Sequence, residues 1–204
     1  MVVVSNIHIL FITTISHFII MNYRVSVITN MLNDPHVKVY EDGDGKLIVE
    51  GNVVILNDNF NKFPVKIDKV IGSVEWRGCV NQFESGSLTS LENFPDEVTG
   101  NVYISKNVRL TSLNGCPKKI GGSLVCDHCN ISDISGIAGA KIKNHFIASH
   151  NPISDISVLE KVYVGRNIEL INTPWSRNSA DGNISTMNDS SIIVIDESYI
   201  GIYD

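Results

Sequence analysis

Residues Val102-Tyr-Ile-Ser-Lys-Asn107 begin a phrase that returns every 22 residues through the second half of the chain. Each copy has an apolar residue first, an apolar or small residue third, and Asn, Cys or Thr sixth. The later copies begin at Leu124, Phe146 and Ile168. A fixed period of this length predicts a repeat solenoid, in which neighbouring units bury a continuous core between them.

A second apolar column keeps the same period four residues upstream of the first. It consists of Val98, Ile120, Ile142 and Val164. An earlier copy of the phrase begins at Val74, 28 residues before Val102, and a less regular copy with Asp58 in the sixth position begins at Val53, 21 residues before Val74. The longer spacing predicts an insertion of about six residues within Val80–Ser87 that projects as a loop.

The alternation inside each phrase predicts a short strand with one buried face. Val102 and Ile104 should point inward, whereas Tyr103 and Ser105 should point outward. Successive strands would stack into a parallel sheet with rungs about 4.8 Å apart. The sixth residue, such as Asn107, is expected to satisfy backbone groups that the following turn leaves unpaired.

Between the phrases, the sequence predicts tight corners and short return segments without long helices, because prolines recur there. Just before the strands, we expect corner glycines to be needed for their permissive dihedral angles; they are Gly72, Gly100 and Gly122. Apolar residues should line the returning half of each coil: Leu110 and Leu113, Ile131 and Ile134, Ile153 and Ile156.

Two groups of residues resemble leucine-rich repeat proteins. Asn130-Ile-Ser-Asp-Ile-Ser135 and Pro152-Ile-Ser-Asp-Ile-Ser157 are similar to the N-x-I-S-D-I-S phrase of internalin-type repeats, and Leu110-Thr-Ser-Leu-Asn-Gly-Cys-Pro117 resembles short repeats of bacteriophage-encoded proteins. The resemblance covers about residues 50–175. It implies a short right-handed coil, mostly strand and loop, with a parallel β-sheet on the concave face and β elements capping both ends. This repeat is a scaffold for many binding tasks, so it implies no particular activity.

We divide the chain into four segments. Residues 1–32 are an apolar extension, anchor or cap, residues 33–50 a hairpin cap, residues 51–176 the solenoid, and residues 177–204 a C-terminal loop and capping strands. The hairpin is predicted because Asp-Gly lies between the alternating runs 37–40 and 46–49. Polar residues 178–191 predict the loop, and residues 191–203 predict one or two strands.

The apolar run Val2–Ile20 has three interpretations. Its length approaches that of a secretory signal or membrane anchor, but no Lys or Arg precedes it and no A-x-A-like site follows it. It can instead be a strand or helix that covers the open end of the solenoid. Alternatively, translation starts at Met21 or Met31, and the preceding residues do not belong to the native protein.

Composition narrows the classes of function. The chain has 204 residues and a formal net charge of −6, without a run of Lys or Arg or a basic stripe, so nucleic acid is not an expected partner. The sequence has no G-x-S-x-G, P-loop or G-x-G-x-x-G motif, and the repeat aligns no Ser-His-Asp set. We therefore expect neither an enzyme nor a cofactor.

The motif Cys126-Asp-His-Cys129 has metal-ligand spacing, but the repeat offers another explanation. Cys126 falls in the inward column and Cys129 in the turn column, as Cys79 does, while Cys116 aligns with Phe94 of the preceding unit. We interpret all four cysteines as small buried residues rather than metal ligands or redox groups. Thiols in these positions favour a reducing compartment.

The outward strand positions define the candidate binding face. Tyr and Arg dominate binding hot spots, and extended solenoid faces serve recognition. The residues are Glu75, Arg77, Tyr103, Ser105, Val125, Asp127, Ile147, Ser149, Glu169 and Ile171, with an apolar strip at Val125, Ile147 and Ile171. The insertion around Asn81–Ser87 is a second candidate surface.

His128 and His150 also belong to this face, because they occupy the same position of adjacent units. They should lie on neighbouring rungs about 5 Å apart. Such a pair can bind a metal, sense pH through mutual repulsion, or simply be two solvated turn residues.

Three hypotheses of function follow. The first is a non-enzymatic module that binds a protein with its concave face; a phage origin would place it in the host cytoplasm, acting on a host protein. The second is an exported or membrane-anchored adhesin-like protein, with a membrane contact only if Val2–Ile20 is a real anchor. The third is an enzyme whose catalytic residues lie in the terminal caps.

Overall fold

The computed structural model describes residues 23–55, 59–78, 86–178, 186–187 and 191–194. Helix α1 occupies residues 23–32 and helix α2 Pro174–Asn178, and two 3-10 helices occupy Ser135–Ile137 and Ser157–Lys161. The strands are β1 Lys38–Glu41, β2 Leu47–Glu50, β3 Val53–Val54, β4 Lys69–Ile71, β5 Val74–Glu75, β6 Glu97–Val98, β7 Val102–Tyr103, β8 Lys119–Ile120, β9 Leu124–Val125, β10 Lys141–Ile142, β11 Phe146–Ile147, β12 Tyr163–Val164, β13 Ile168–Glu169, β14 Thr186–Met187 and β15 Ser191–Val194.

The described strands form a parallel β-solenoid of about five coils. Each coil contributes one strand to each of two sheets. The front sheet contains the strands of the phrase, in the order β14-β15-β13-β11-β9-β7-β5-β3. The back sheet has the order β1-β2-β4-β6-β8-β10-β12. All pairings within the two sheets are parallel except β1 with β2 and β14 with β15.

The register of the front sheet confirms the spacing of the repeat. Val102 pairs with Leu124, Leu124 with Phe146, and Phe146 with Ile168. Val74 pairs directly with Val102 and with Val53, so the irregular steps of 28 and 21 residues keep the same register. The predicted insertion falls mainly on residues 79–85, which lie outside the described residues.

The second apolar column forms the back sheet, a finding that the sequence did not predict. Val98 pairs with Ile120, Ile120 with Ile142, and Ile142 with Val164. All four side chains are buried. Most of these strands have only two residues, which is too short for an alternating pattern to show in the sequence.

The core lies between the two sheets and the return segments. Val102 and Ile104 are completely buried, as predicted. The return residues named above are buried as well, and the short 3-10 turns agree with the expected lack of long helices. Near the N-terminal end, Phe63, Trp76 and Phe94 pack with ring centroids 5.0–6.3 Å apart.

The sixth position of the phrase binds backbone groups inside the coil, as the sequence predicts. The amide nitrogen of Asn107 donates to the carbonyls of Trp76, Ile104 and Ser105, at 2.7, 2.9 and 3.3 Å. Its Oδ1 accepts from the backbone N–H of Leu88 at 3.0 Å. This single buried side chain therefore ties its own strand to both the strand and the return segment of the previous coil.

The other units repeat this arrangement with different side chains. Asn151 donates to the carbonyls of Cys126, Ala148 and Ser149 and accepts from the N–H of Ile131. In the same column, the Sγ of Cys129 donates to the backbone carbonyl of Ile104 at 3.2 Å. The hydroxyl of Thr173 donates to the backbone carbonyl of Leu170 at 2.9 Å. A thiol makes fewer and weaker bonds than an amide.

A second ladder of side chains fixes the corner between the two sheets. The side-chain oxygens of Asn52, Ser73, Asn101 and Ser123 each accept the backbone N–H of the corresponding residue in the next coil, at 2.8–3.3 Å; the donors are Ser73, Asn101, Ser123 and His145. These hydrogen bonds help to fix the register of each coil relative to the next one.

The corner glycines are needed mainly for space, so the predicted reason was wrong for two of the three. Gly72 has a φ of +151°, but Gly100 and Gly122 have no left-handed backbone. A Cβ on Gly122 would lie 2.2 Å from the Oδ1 of Asn101. The coils approach so closely at this corner that a side chain would separate them.

The N-terminal end of the solenoid has the predicted hairpin. β1 pairs with β2 through Lys38↔Glu50 and Glu41↔Leu47, which places β1 at the edge of the back sheet. Helix α1 buries Ile28 and Met31 in the same core. Its Arg24 forms ion pairs with Glu41 at 3.1 Å and Asp68 at 3.3 Å.

At the C-terminal end, β15 adds to the front sheet, where Ile168 pairs with Ile193. Thr186–Met187 pairs with β15, so a strand interrupts the segment that the sequence predicts as a loop. The predictions for residues 1–22 and 195–204 lie outside the described residues. Among the helices of the described chain, none combines the length and apolar character that crossing a membrane requires.

Candidate functional site

The outer face of the front sheet presents a straight row of side chains from the second position of each phrase. Glu75, Tyr103, Val125, Ile147 and Glu169 are register partners on adjacent parallel strands, and each is partly exposed. Since adjacent strands are about 4.8 Å apart, the row extends for about 19 Å. The solenoid therefore brings together residues that are almost 100 positions apart in sequence.

An aromatic and charged cluster occupies the N-terminal part of this row. The guanidinium carbon of Arg77 lies 4.1 Å from the ring centroid of Tyr103, which is a cation–π contact. The Nε of Arg77 lies 3.4 Å from a carboxylate oxygen of Glu75. These contacts hold Arg77 and Tyr103 against the sheet while leaving them accessible; the Arg77 side chain is 44% exposed.

Apolar side chains occupy the middle of the row. Val125 and Ile147 are partly exposed and adjacent in register. Ile171, which the sequence placed in the same apolar strip, is buried. It follows β13 in a turn, so the exposed apolar strip consists of Val125 and Ile147.

The fourth-position row also differs from the predicted exposed surface. Ser105 and Ser149 are both buried, because their short side chains turn to polar neighbours on the sheet rather than to water. The hydroxyl of Ser105 donates to the Oδ1 of Asp127 at 2.6 Å. The hydroxyl oxygen of Ser149 accepts from the backbone N–H of Ile171 at 3.1 Å. These two serines support the face and do not offer contacts to a partner.

Asp127 is the centre of a hydrogen-bonded group on this face. Its other oxygen, Oδ2, accepts from the Nδ1 of His128 at 2.7 Å. Burial acts to raise the pKa of Asp127, but the hydrogen bonds from Ser105 and His128 outweigh it, so the pKa is lowered. The carboxylate is therefore fixed in its charged form.

Glu169 shows the opposite behaviour at the C-terminal end of the row. Burial raises its pKa first, and the negative charge of Asp127 raises it further. Two carboxylates on one face thus differ in their protonation behaviour because, among the residues that the structure describes, hydrogen bonds from neighbouring side chains reach Asp127 and not Glu169.

His128 and His150 stack as the repeat predicts. Their ring centroids are 4.1 Å apart and their planes differ by 20°. Both residues have left-handed backbones, with φ of 54° and 59°, as do Lys106 and Asn172 in the same column. The turns after β7, β9, β11 and β13 thus require an unusual conformation, which the residue types in this column did not reveal.

The described residues contain no group of three or more His, Cys, Asp or Glu side chains that is arranged to hold a metal ion. The stacked histidines and the cysteines therefore do not form such a group there. Cys116, Cys126 and Cys129 are buried free thiols, placed in the predicted columns; Cys79 lies outside the described residues. Burial raises the pKa of Cys116 and of Cys129 to about 12.

Sequence reasoning missed two features of the outer surfaces. It did not foresee the bond between Ser105 and Asp127, because it treated each outward residue as independent. It also overlooked the outer row of the back sheet, although Lys119, Lys141 and Tyr163 follow the same 22-residue period.

Comparison with known proteins adds no relative to this description. The chain matches no protein-family model, no curated protein and no solved structure.

Proposed function

We propose that the protein is a non-enzymatic binding module of the leucine-rich repeat type, which recognises a partner protein with the outer face of its front sheet. The observation that carries this proposal is the row from Glu75 to Glu169. It is continuous and accessible, and its residues are supplied by five separate coils. Extended faces of this kind serve recognition in solenoids.

The residues of the row favour a protein partner over a small molecule. A small-molecule site is concave and encloses most of its ligand, whereas this row runs along an open sheet. Tyr103 and Arg77 are of the types that form binding hot spots, and Val125 and Ile147 provide apolar area beside them. Their contacts with the sheet restrict them before binding, which reduces the entropy lost on association.

The same residues indicate the character of the partner surface. The Arg77–Tyr103 end suits a carboxylate next to an apolar group, and Val125 with Ile147 suits an aliphatic or aromatic side chain. Asp127 and His128 suit hydrogen-bonding groups at the rim. If the chain is encoded by a phage, as its repeats suggest, we propose a host protein in the host cytoplasm as the partner.

Site-specific photo-crosslinking in cells that contain the natural partner tests this proposal. A photoreactive phenylalanine analogue replaces Tyr103 in one variant and Ile147 in a second. In the control it replaces Tyr40, which is 39% exposed on β1, away from the face. We expect both front-face variants to crosslink the same protein, and Tyr40 not to do so. Crosslinks from Tyr40 alone, or different proteins from the two front-face positions, would contradict the proposal.

A further inference from the structure

A groove of about 400 Å³ lies on the outer face of the back sheet, which a corner of the coil separates from the row described above. It crosses β6, β8, β10 and β12. Its lining includes Val98, Ile120 and Gly121, together with the charged residues Glu97, Lys119, Lys141 and Lys143 and the ring of Tyr163. With strands about 4.8 Å apart, it spans about 14 Å.

The lysines of the groove outnumber its acidic groups, because Glu97 is the one carboxylate among the described residues that line it. Lys119 and Lys141 are register partners on adjacent strands, and Lys143 lies on the same face two residues later. Glu97 is shared between Lys69 at 2.7 Å and Lys119 at 3.5 Å. Within the described residues, neither Lys141 nor Lys143 forms a salt bridge.

This arrangement is unfavourable for the isolated protein. Like charges directly opposite each other on neighbouring strands destabilise a sheet. The chain as a whole carries a formal charge of −6, so a concentration of unpaired ammonium groups on one face departs from its average character. An anionic ligand would relieve the repulsion and gain from each unpaired lysine.

The coils stack closely beneath and beside the groove. At Gly121, which lines the groove, a Cβ would lie 2.1 Å from the carbonyl oxygen of Thr99, and at Gly165, just after β12, it would lie 2.1 Å from the carbonyl oxygen of Lys143. A side chain at either position would therefore separate the coils. The ring of Tyr163, a residue that is 51% exposed, lies on β12 at the C-terminal end of the groove.

We infer that this groove binds an extended acidic peptide segment of a partner protein, with carboxylates on Lys119, Lys141 and Lys143. Apolar residues of the segment would rest on the lysine stems and on the Tyr163 ring, which are suitable apolar surfaces. An extended peptide of about four residues covers the length of the groove. The groove is open along its length, which suits a chain segment better than a small molecule that must be enclosed.

The inference is independent of the proposed front-face function, because the two surfaces share no residue. A fluorescent peptide of alternating glutamate and leucine is titrated into the full-length protein, and fluorescence anisotropy gives its affinity. The matched peptide has glutamine in place of glutamate. We expect the glutamate peptide to bind at least about tenfold more tightly, from the sum of three exposed charge pairs, with an affinity that falls as salt is added.

Two sets of substitutions locate the binding. Lys119→Gln/Lys141→Gln/Lys143→Gln should reduce affinity for the glutamate peptide about tenfold. Lys38→Gln/Lys106→Gln/Lys161→Gln removes the same charge from exposed positions elsewhere. This control variant should bind the glutamate peptide with an affinity within about twofold of the wild-type value. The Tyr103→Ala/Ile147→Ser variant should also bind normally, which separates this site from the front face. Thermal denaturation confirms that each variant is folded.

A spectroscopic measurement on the unmodified protein provides a second test. We expect the peptide to shift the backbone amide resonances of Gly121, Lys141 and Gly165, and not those of Tyr103 or Val125. The inference would be overturned if the protein bound the two peptides with equal affinity, or if the two triple-lysine variants lost equal affinity for the glutamate peptide. It would also be overturned if the amide resonance shifts were confined to the front sheet. Tighter binding of a single-stranded oligothymidylate or of anionic phospholipid vesicles would also overturn it, because the groove would then serve a different class of partner.

Discussion

The two sides of the front-sheet strands use their residues differently. On the inner side and in the turn, Asn107 and Asn151 each make four hydrogen bonds to the backbone. On the outer side, Tyr103 and Ile147 are partly exposed and contact the sheet without completing its hydrogen bonds. The fold thus restricts which residue types can occupy the inner positions, whereas the residue types of the outer row can be selected for binding a partner.

The largest expected contrast is in the reactivity of thiols. A pKa of about 12 for Cys116, compared with an ordinary value of 9.0, lowers the thiolate fraction at neutral pH about a thousandfold. We expect Cys116, Cys126 and Cys129 to resist alkylation in the folded protein and to react in concentrated guanidinium chloride, as mass spectrometry of each site will show.

The variant Val125→Cys supplies the matched outer thiol, because residue 125, on β9, directly precedes Cys126 and is partly exposed whereas Cys126 is buried. The new thiol should react in the folded protein while Cys126 does not. Rapid alkylation of Cys126 would mean that the inner column is open to solvent, and the distinction between the two sides would fail.

The second contrast concerns stability. Asn151→Ala removes four buried hydrogen bonds and leaves backbone groups unpaired, so the free energy of unfolding should fall by about 3 kcal/mol. Asn130→Ala changes an exposed asparagine, and a surface substitution of this type should cost less than about 0.5 kcal/mol. Chemical denaturation measures both, and similar losses would contradict the special role of the sixth position.

Much of the inner side was predictable because one physical requirement repeats every 22 residues. The period identified the register of Val102 with Leu124, the inward position of Cys126 and the backbone role of Asn151. The back sheet was not predictable, since two-residue strands carry no pattern of their own. The need for Gly122 depends on the close approach of Asn101 from the previous coil, which has no local signal.

The outer side was harder to predict, because pointing outward does not make a residue accessible. The sequence assigned Ser105, Ser149 and Ile171 to the exposed face, but all three are buried. Ser105 and Ser149 hydrogen-bond to Asp127 and Ile171 of the adjacent coils, and the period alone does not reveal such contacts. The stacked imidazoles of His128 and His150 were foreseen because they need only the period.

A smaller contrast concerns Asp127 and Glu169, the two carboxylates of the outer face. Asp127 has a lowered pKa, so its contribution to stability is present above the ordinary value of 3.8 and is lost as the pH falls through its folded-state value. Asp127→Asn should therefore destabilise the protein by about 1 kcal/mol at neutral pH, and the difference from wild type should shrink in acid.

Glu169 has a raised pKa, so its contribution is fully present below the ordinary value of 4.5 and is lost as the pH rises through its folded-state value. Glu169→Gln should consequently be neutral or stabilising at neutral pH. Denaturation curves over a range of pH test both carboxylates. Equal destabilisation by the two substitutions at neutral pH would show that they do not differ in environment.

The smallest expected effect is that of the outer row on stability. Tyr103→Ala/Ile147→Ser removes two partly exposed side chains, and we expect the free energy of unfolding to fall by no more than about 1 kcal/mol. A loss comparable with that of Asn151→Ala would mean that these residues are structural, and the reason for assigning them to recognition would disappear.

The affinity of the crosslinked partner for this same double variant tests the central claim most directly. We predict that Tyr103→Ala/Ile147→Ser weakens binding at least about thirtyfold, as expected for the loss of a hot-spot tyrosine, while Tyr40→Ala binds like the wild type. Unchanged affinity in the folded double variant would contradict the claim that the outer face of the front sheet is the binding surface.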